Sequence, residues 1–239
     1  MKQSIKNVVL VHGAFADGSG WEAVATILKN DGYKVSVAQP PETSYADDQK
    51  YTKAAIDAMG GPVVLVGHSY GGSIITEAGN HPNVEALVYI AAFALDEGES
   101  CASIETALPQ ASKAFKADSN GLWWIDEAHF VADFAADIPR DEAEFMAIAQ
   151  VPISTDSFTH QVKNPAWKHK PTWYIVPTED RSINPDQERH DGGARQGQDG
   201  RSEGEPCGLQ VSSEGNSQAH RRGCHLRTRQ PVTIRSQTK

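Results

Sequence analysis

The first 92 residues alternate between short apolar runs and segments with helical periodicity. Runs of consecutive apolar side chains are typical of strands buried on both faces of a parallel sheet. Strands are predicted at 7–11, 34–38, 63–66, 84–92 and, further along, 172–176. Helices are predicted between them at 21–32, 44–59 and 70–78. In the second of these helices, the predicted apolar face carries Tyr51, Ala54, Ala55 and Ala58. This order predicts the α/β class, with a doubly wound, mostly parallel sheet whose functional loops follow the carboxyl ends of the strands.

Residues 96–170, called the cap below, follow a different pattern. Apolar and aromatic residues cluster there at 122–125, 130–134 and 145–148, and Pro139 stands where the last of these predicted helices would begin. The clusters predict a helical insertion above the sheet. Trp123 and Trp124 could pack against the sheet or contact a substrate, so both are candidate substrate-binding residues.

Composition narrows the range of functions. The net charge of −9 argues against nucleic acid as a partner of the main domain. No apolar run has the length of a membrane span, and the first residues lack the core and cleavage site of a secretory signal, so a cytoplasmic protein is predicted. The cysteines, Cys101, Cys207 and Cys224, have no metal-type spacing, which argues against a metal site and a disulfide framework.

A Gly-x-Ser-x-Gly motif joins the central predicted strand to the next helix. Residues 67–72 read Gly-His-Ser-Tyr-Gly-Gly, and the small residues around Ser69 allow a sharp turn that would expose its hydroxyl between strand and helix. A serine hydroxyl is barely ionised near neutral pH, so it attacks a carbonyl only if a base takes its proton. The motif therefore predicts Ser69 as a nucleophile that depends on a general base.

Two backbone amides are candidates for an oxyanion hole, because charge that develops on a carbonyl oxygen needs preorganised donors. Tyr70 would open the helix after Ser69, and Ala14 follows the first strand. Phe15 is the neighbouring alternative to Ala14 and also a candidate substrate contact.

A carboxylate after the last predicted strand could orient a catalytic imidazole. Asp180 is favoured for this role over Glu179 and Asp186. His68 flanks the nucleophile, but along the turn it would point away from the hydroxyl, so it is interpreted as structural.

Three segments together resemble the α/β-hydrolase fold family, and within it the small capped esterases akin to plant methylesterases and hydroxynitrile lyases. They are His12-Gly13-Ala14, the motif at 67–72, and the sequence TEDRSINP at 178–185. The resemblance covers about residues 5–189 and implies a serine nucleophile, an acid after the late strand, a histidine near the C-terminus and no cofactor. The implied activity is hydrolysis of small, mostly apolar carboxylic esters. A lyase acting on cyanohydrins and a non-catalytic module that binds a small apolar ligand are the alternatives.

Residues 190–239 depart from this family. From residue 191 onward the chain has no aromatic residue, yet it holds seven of the ten arginines. Such a segment cannot bury enough apolar surface to offset its ordering entropy, so it is predicted to be disordered. The predicted organisation is an α/β domain over 1–189 and a non-homologous tail over 190–239.

Three explanations for the tail compete: a segment that binds nucleic acid, a divergent family member with a shortened sheet, and a shifted reading frame. The tail lacks aromatic residues for base stacking, which argues against nucleic-acid binding. The shifted reading frame is favoured. Codons read from their second base after residue 190 permit a helix, an alternating strand and a Ser-His-Ala loop, which are the elements that the family would have there. No general base is identified in the chain as it stands, and weak or absent turnover is predicted.

Overall fold

The computed structural model describes residues 5–107, 109, 112–175 and 183. The strands in this part are β1 (Asn7–Val11), β2 (Lys34–Ala38), β3 (Val63–Ser69), β4 (Val84–Ala92), β5 (Phe115–Ala117), β6 (Leu122–Ile125), β7 (Ile153–Ser154) and β8 (Thr172–Ile175). The helices are α1 (Glu22–Asn30), α2 (Tyr45–Ala58), α3 (Tyr70–Ala78), α4 (Cys101–Ala107), α5 (Glu127–Asp133), α6 (Arg140–Ala149) and α7 (Thr155–Thr159). The tail at 190–239, with its predicted disorder and shifted frame, lies outside the described residues.

A five-stranded parallel sheet in the order β2-β1-β3-β4-β8 forms the centre of the molecule. The α/β class and the mostly parallel sheet predicted from the apolar runs are therefore confirmed. After β1 the chain adds β2 on one side and then crosses to add β3 on the other. The carboxyl ends of β1 and β3 consequently meet at a topological switch point, which is where open parallel sheets bind ligands.

The sheet is covered on both faces, which explains the apolar runs in its strands. Val9 and Val11 of β1 belong to the larger hydrophobic cluster, which extends into the cap. Val8 and Leu10 point the opposite way and pack with Trp21 in the second cluster. Successive strand residues face opposite sides of a sheet, so burial on both sides requires an apolar residue at every position.

Helix α2 forms where the pattern predicted a helix, but it buries a different face. Ser44 caps its N-terminus by accepting a hydrogen bond from the Asp47 amide at 3.1 Å. Tyr51, on the face predicted to be apolar, is 50 % exposed. The buried side is mostly polar and carries Tyr45, Asp48, Gln49, Thr52 and Ile56. Polar residues are buried there because they bond to neighbouring elements, as Gln49 does when its amide donates to the Ile74 carbonyl at 2.7 Å.

The cap is mixed and not purely helical. The residues at 122–125 form strand β6, the middle strand of a small antiparallel sheet in the order β5-β6-β7. A turn explains this error of prediction: the Asp118 carboxylate accepts hydrogen bonds from the Asn120 and Leu122 amides, and Gly121 adopts a positive φ of 76°. Such a turn closes a hairpin between β5 and β6. The two later helices are confirmed as α5 and α6, and α6 begins directly after Pro139.

Hydrogen bonds fasten the cap to the sheet domain near α7. The Ser154 amide donates to the Glu42 carbonyl at 2.8 Å, and the Tyr45 amide donates to the Asp156 carboxylate at 3.1 Å. These bonds hold the segment that carries α7 against the loop between β2 and α2.

Candidate active site

Ser69 stands at a turn without any loop between strand and helix. It is the last residue of β3, and Tyr70 is the first residue of α3. Its backbone has φ 51° and ψ −124°, a conformation that side-chain-bearing residues rarely adopt and that costs about 1–3 kcal/mol. Such strain is concentrated at functional sites, where surrounding contacts maintain it. The side chain is partly exposed.

Close backbone packing explains why glycines surround this serine. A Cβ atom on Gly67 would lie 2.6 Å from the Gly71 carbonyl oxygen, and one on Gly71 would lie 2.5 Å from the His12 carbonyl oxygen. A Cβ atom on Gly13 would lie 2.7 Å from the Cβ atom of Ser69. The loop after β1 therefore presses directly on the turn, and only glycine fits at these three positions.

The structure brings Ser69 together with the two candidate oxyanion donors. Ser69, Tyr70, Ala14 and Phe15 line one narrow cleft of about 20 Å³, and Ile183 also borders it. The Tyr70 amide belongs to the first residue of α3, where backbone N–H groups have no partner within the helix. The cleft is about the size of one water molecule.

A larger cavity of about 420 Å³ adjoins this cleft beneath the cap. Phe15, Phe115, Phe158 and Glu105 line both spaces, so the two share a wall. Trp123 also lines the cavity, and its Nε1 donates to the Thr155 hydroxyl at 3.0 Å.

Trp124 occupies a different position from Trp123. It follows Trp123 along β6, so it projects from the opposite face of the small sheet. It packs partly buried against the main hydrophobic cluster and does not line the cavity among the described residues. The structure therefore places Trp123, but not Trp124, in the wall of the cavity that Phe15 also lines.

A buried carboxylate that sequence reasoning missed supports the turn. One Asp48 oxygen accepts hydrogen bonds from the Tyr70 hydroxyl at 2.6 Å and the Ser157 hydroxyl at 2.9 Å. The other oxygen accepts from the Glu42 amide at 2.7 Å. Burial raises the pKa of Asp48, while these hydrogen bonds oppose the rise. Asp48 thus links the residue after the nucleophile to the cap, and no local signal in the sequence indicates this.

A second buried pair lies behind the loop that carries Ala14. His12 Nδ1 lies 3.0 Å from the Gly13 carbonyl oxygen and 3.5 Å from Oε1 of Glu42. Burial lowers the pKa of His12, but the Glu42 carboxylate and the Gly13 carbonyl outweigh it, so this pKa is raised. Glu42 is 0 % exposed, and burial raises its pKa to about 7. His12 and the Phe15 amide act in the opposite direction, because both lower this pKa.

His68 packs away from the cleft. Its ring meets Trp21 edge to face at 6.4 Å between centroids, and it does not line the cleft. Burial lowers the pKa of His68 to about 4, so it is neutral near pH 7. These features suit the structural interpretation of this residue.

The remaining predicted participants lie outside the described residues. These are Asp180 and the competing acids Glu179 and Asp186. Among the described residues no histidine lines the cleft, and no group of three or more His, Cys, Asp or Glu side chains could hold a metal ion. In the same part of the chain, no helix has both the length and the apolarity needed to cross a bilayer.

Comparison with known proteins identifies the family. The model of the alpha/beta hydrolase family matches residues 8–203, and the chain belongs to that family. A carbendazim hydrolyzing esterase of Nocardioides sp. (strain SG-4G) is 34 % identical over 119 residues, 43 % of this chain and 49 % of the esterase. The match thus spans about half of that relative's length.

Two further similarities cover more of the chain. The alpha/beta hydrolase nvfD of Aspergillus novofumigatus is 26 % identical over 206 residues, 74 % of this chain and 78 % of that protein. The solved structure of a methylesterase from Arabidopsis, MES16, has a TM-score of 0.64 at 17 % identity and covers 77 % of this chain and 82 % of its own. This second similarity supports the fold.

Proposed function

We propose that the site is that of a serine hydrolase for small, mostly apolar carboxylic esters, with Ser69 as the nucleophile. The observation that carries the proposal is the strained backbone of Ser69, which presents its side chain to a cleft shared with Ala14 and Tyr70. Strain of this kind persists where function requires it. The similarity to an esterase over half of that relative's length agrees with this chemistry.

In the proposed reaction, the Ser69 oxygen attacks the ester carbonyl carbon as a base removes the hydroxyl proton. The carbonyl electron pair moves to oxygen, and the amides of Tyr70 and Ala14 stabilise that charge. When the tetrahedral intermediate collapses, the alcohol leaves with a proton from the base, and an acyl-serine remains. Water then attacks the acyl-serine by the same steps and releases the carboxylic acid.

Ala14 is preferred to Phe15 as the second oxyanion donor. The Phe15 amide lies close enough to the buried Glu42 carboxylate to lower the pKa of that carboxyl, which competes with a role as oxyanion donor. Ala14 borders the same cleft beside Ser69 as Phe15 does, and its amide is therefore our choice for the second donor. Removing one such donor typically costs about 3 kcal/mol of transition-state stabilisation.

The proposed triad is incomplete in this chain because no general base is identified. Asp180 is our candidate for the group that orients the imidazole, and a shifted reading frame near residue 190 would account for the missing histidine. Without a base, only the oxyanion hole and substrate binding contribute to catalysis. We therefore expect weak or absent turnover from the chain as it stands.

The cavity beneath the cap suits the apolar part of the substrate. Its volume of about 420 Å³ lies within the range of sites for small organic molecules. Phe15 and Trp123 line it and are the proposed substrate contacts. Trp124, on the other face of β6, is proposed to support the small sheet.

Hydrolysis of p-nitrophenyl butyrate would test this proposal on the full chain and on a version with the frame restored after residue 190. The restored protein should hydrolyse the ester, and Ser69→Ala should lower the rate by more than about 10³-fold. Ser119→Ala, which changes an exposed serine in the β5–β6 turn, serves as the matched control. A restored protein without serine-dependent activity would refute the proposal, and cyanide release from mandelonitrile would favour the lyase alternative.

A further inference from the structure

Glu105 lies beside the proposed site but is neither the nucleophile nor an oxyanion donor. It lies on α4 of the cap, is half-buried, and lines both the cleft beside Ser69 and the larger cavity. A molecule bound in the cavity with its carbonyl at Ser69 would therefore pass along this carboxyl group.

Aromatic rings surround the same space. The side chains of Phe15, Phe115, Trp123 and Phe158 line the cavity together with Glu105. Burial raises the pKa of the Glu105 carboxyl to about 8, since the surroundings are poor at solvating its charge. A carboxyl group surrounded by aromatic side chains is a poor site for an anion and, once it is ionised, a good one for a weakly hydrated cation.

We propose that Glu105 and the aromatic lining recognise an ammonium group on the substrate, so that the preferred substrates are esters that carry a cation. The proposal rests on the hydrolase function above and narrows its substrate class. A quaternary ammonium group attracts aromatic faces electrostatically, and an ionised Glu105 would neutralise its charge. Lys113 also lines the cavity, but it is exposed and does not border the cleft among the described residues.

Other titratable or charged groups near this region bear on any pH dependence. They are Cys101 on the same helix, Tyr70 in the cleft, Lys113 in the cavity wall, Asp133 bonded to Ser112 of that wall, and Asp156 on α7. Burial raises the pKa of both Cys101 and Tyr70 well above their usual values, so both keep their protons between pH 7 and 9. A change in cation affinity over that range is therefore expected to follow Glu105.

Binding to the full chain carrying Ser69→Ala tests the proposal without turnover. The probes are butyrylcholine and 3,3-dimethylbutyl butyrate, which differ only in having nitrogen or carbon at the branched centre. At pH 9, where Glu105 is ionised, calorimetry should give butyrylcholine a Kd about tenfold lower than that of its neutral isostere. Glu105→Gln should reduce this preference to the part contributed by the aromatic side chains, and Glu97→Gln, an exposed acid before α4, should leave the preference unchanged.

The pH dependence provides a second measurement that needs no variant of Glu105. The quaternary nitrogen does not titrate, so affinity for butyrylcholine should rise from pH 7 to pH 9 as Glu105 ionises, while the isostere should bind equally throughout. Equal affinity for both probes, no detectable binding of butyrylcholine, or a preference at pH 9 that Glu105→Gln leaves undiminished would overturn the proposal. Because Ser69→Ala removes turnover, a cation preference without esterase activity in the restored protein would contradict only the proposed function.

Discussion

Gly13→Ala is the sharpest test of how the loop after β1 shapes the nucleophile. The added methyl group would lie 2.7 Å from the Cβ atom of Ser69 and 3.0 Å from the His68 carbonyl oxygen. Ordinary carbon contacts lie at about 3.5–4.0 Å, so the loop and the turn must separate by about 1 Å. Both neighbouring atoms belong to the backbone or are bonded directly to it, and no side-chain rotation relieves the overlap.

The expected cost follows from that displacement. Overpacking of this kind typically destabilises a protein by about 1–3 kcal/mol. At about 2–4 °C per kcal/mol for a chain of this size, Tm should fall by roughly 2–12 °C. A displacement of about 1 Å at the nucleophile should also lower kcat/KM of the frame-restored protein about 100-fold.

Gly20→Ala is the matched control for this substitution. A Cβ atom on Gly20 meets nothing within 4 Å, so the change reports only the effect of alanine on the unfolded chain. Differential scanning calorimetry of both variants measures the difference. If Gly13→Ala kept the Tm and the activity of Gly20→Ala, the close approach of loop and turn described above would be wrong.

The other predictions concern the buried carboxylates. Asp48→Asn removes the charged acceptor of the Tyr70 hydroxyl, so urea unfolding should show a loss of about 1.5–3 kcal/mol, whereas an unchanged midpoint would contradict a supporting role. Tyr70→Phe should destabilise the protein to a similar degree, measured in the same way, because Asp48 then loses a donor while the backbone amide of residue 70 remains. The pKa of Glu42 is raised from 4.5 to about 7 in the folded state. Between these two pH values the folded state keeps a proton that the unfolded state has lost, so the free energy of unfolding should fall as pH rises from 4.5 to 7. Glu42→Gln should flatten that fall in thermal scans from pH 5 to pH 8; an equally steep fall would assign it to other groups.

The sheet and the nucleophile turn could be predicted because their signals are local. A strand covered on both faces must be apolar where it is buried, as β1 is at 8–11, and the turn at Ser69 needs glycines at fixed neighbouring positions. The error at β6 has a local cause too, since four apolar residues do not distinguish a strand from a helix. The turn that decides the matter begins at Asp118, before the apolar run.

The supporting residues could not be predicted because their partners are remote in sequence. Asp48 bonds to Tyr70, 22 residues away, and to Ser157, 109 residues away. Periodicity instead pointed to Tyr51 on the solvent side of α2. A buried polar face gives the same sequence pattern as a solvated one, and only the fold reveals which elements satisfy it.

The bonds between α7 and the β2–α2 loop bear on how molecules reach Ser69. Because Asp48, Tyr45 and Glu42 each bond to the α7 segment, swinging the cap away would break several buried contacts at once. We therefore expect the cap to stay fixed over the sheet and not to open by a hinge motion. Substrates and products would diffuse through the opening of the larger cavity, and the width of that opening would limit which molecules reach Ser69.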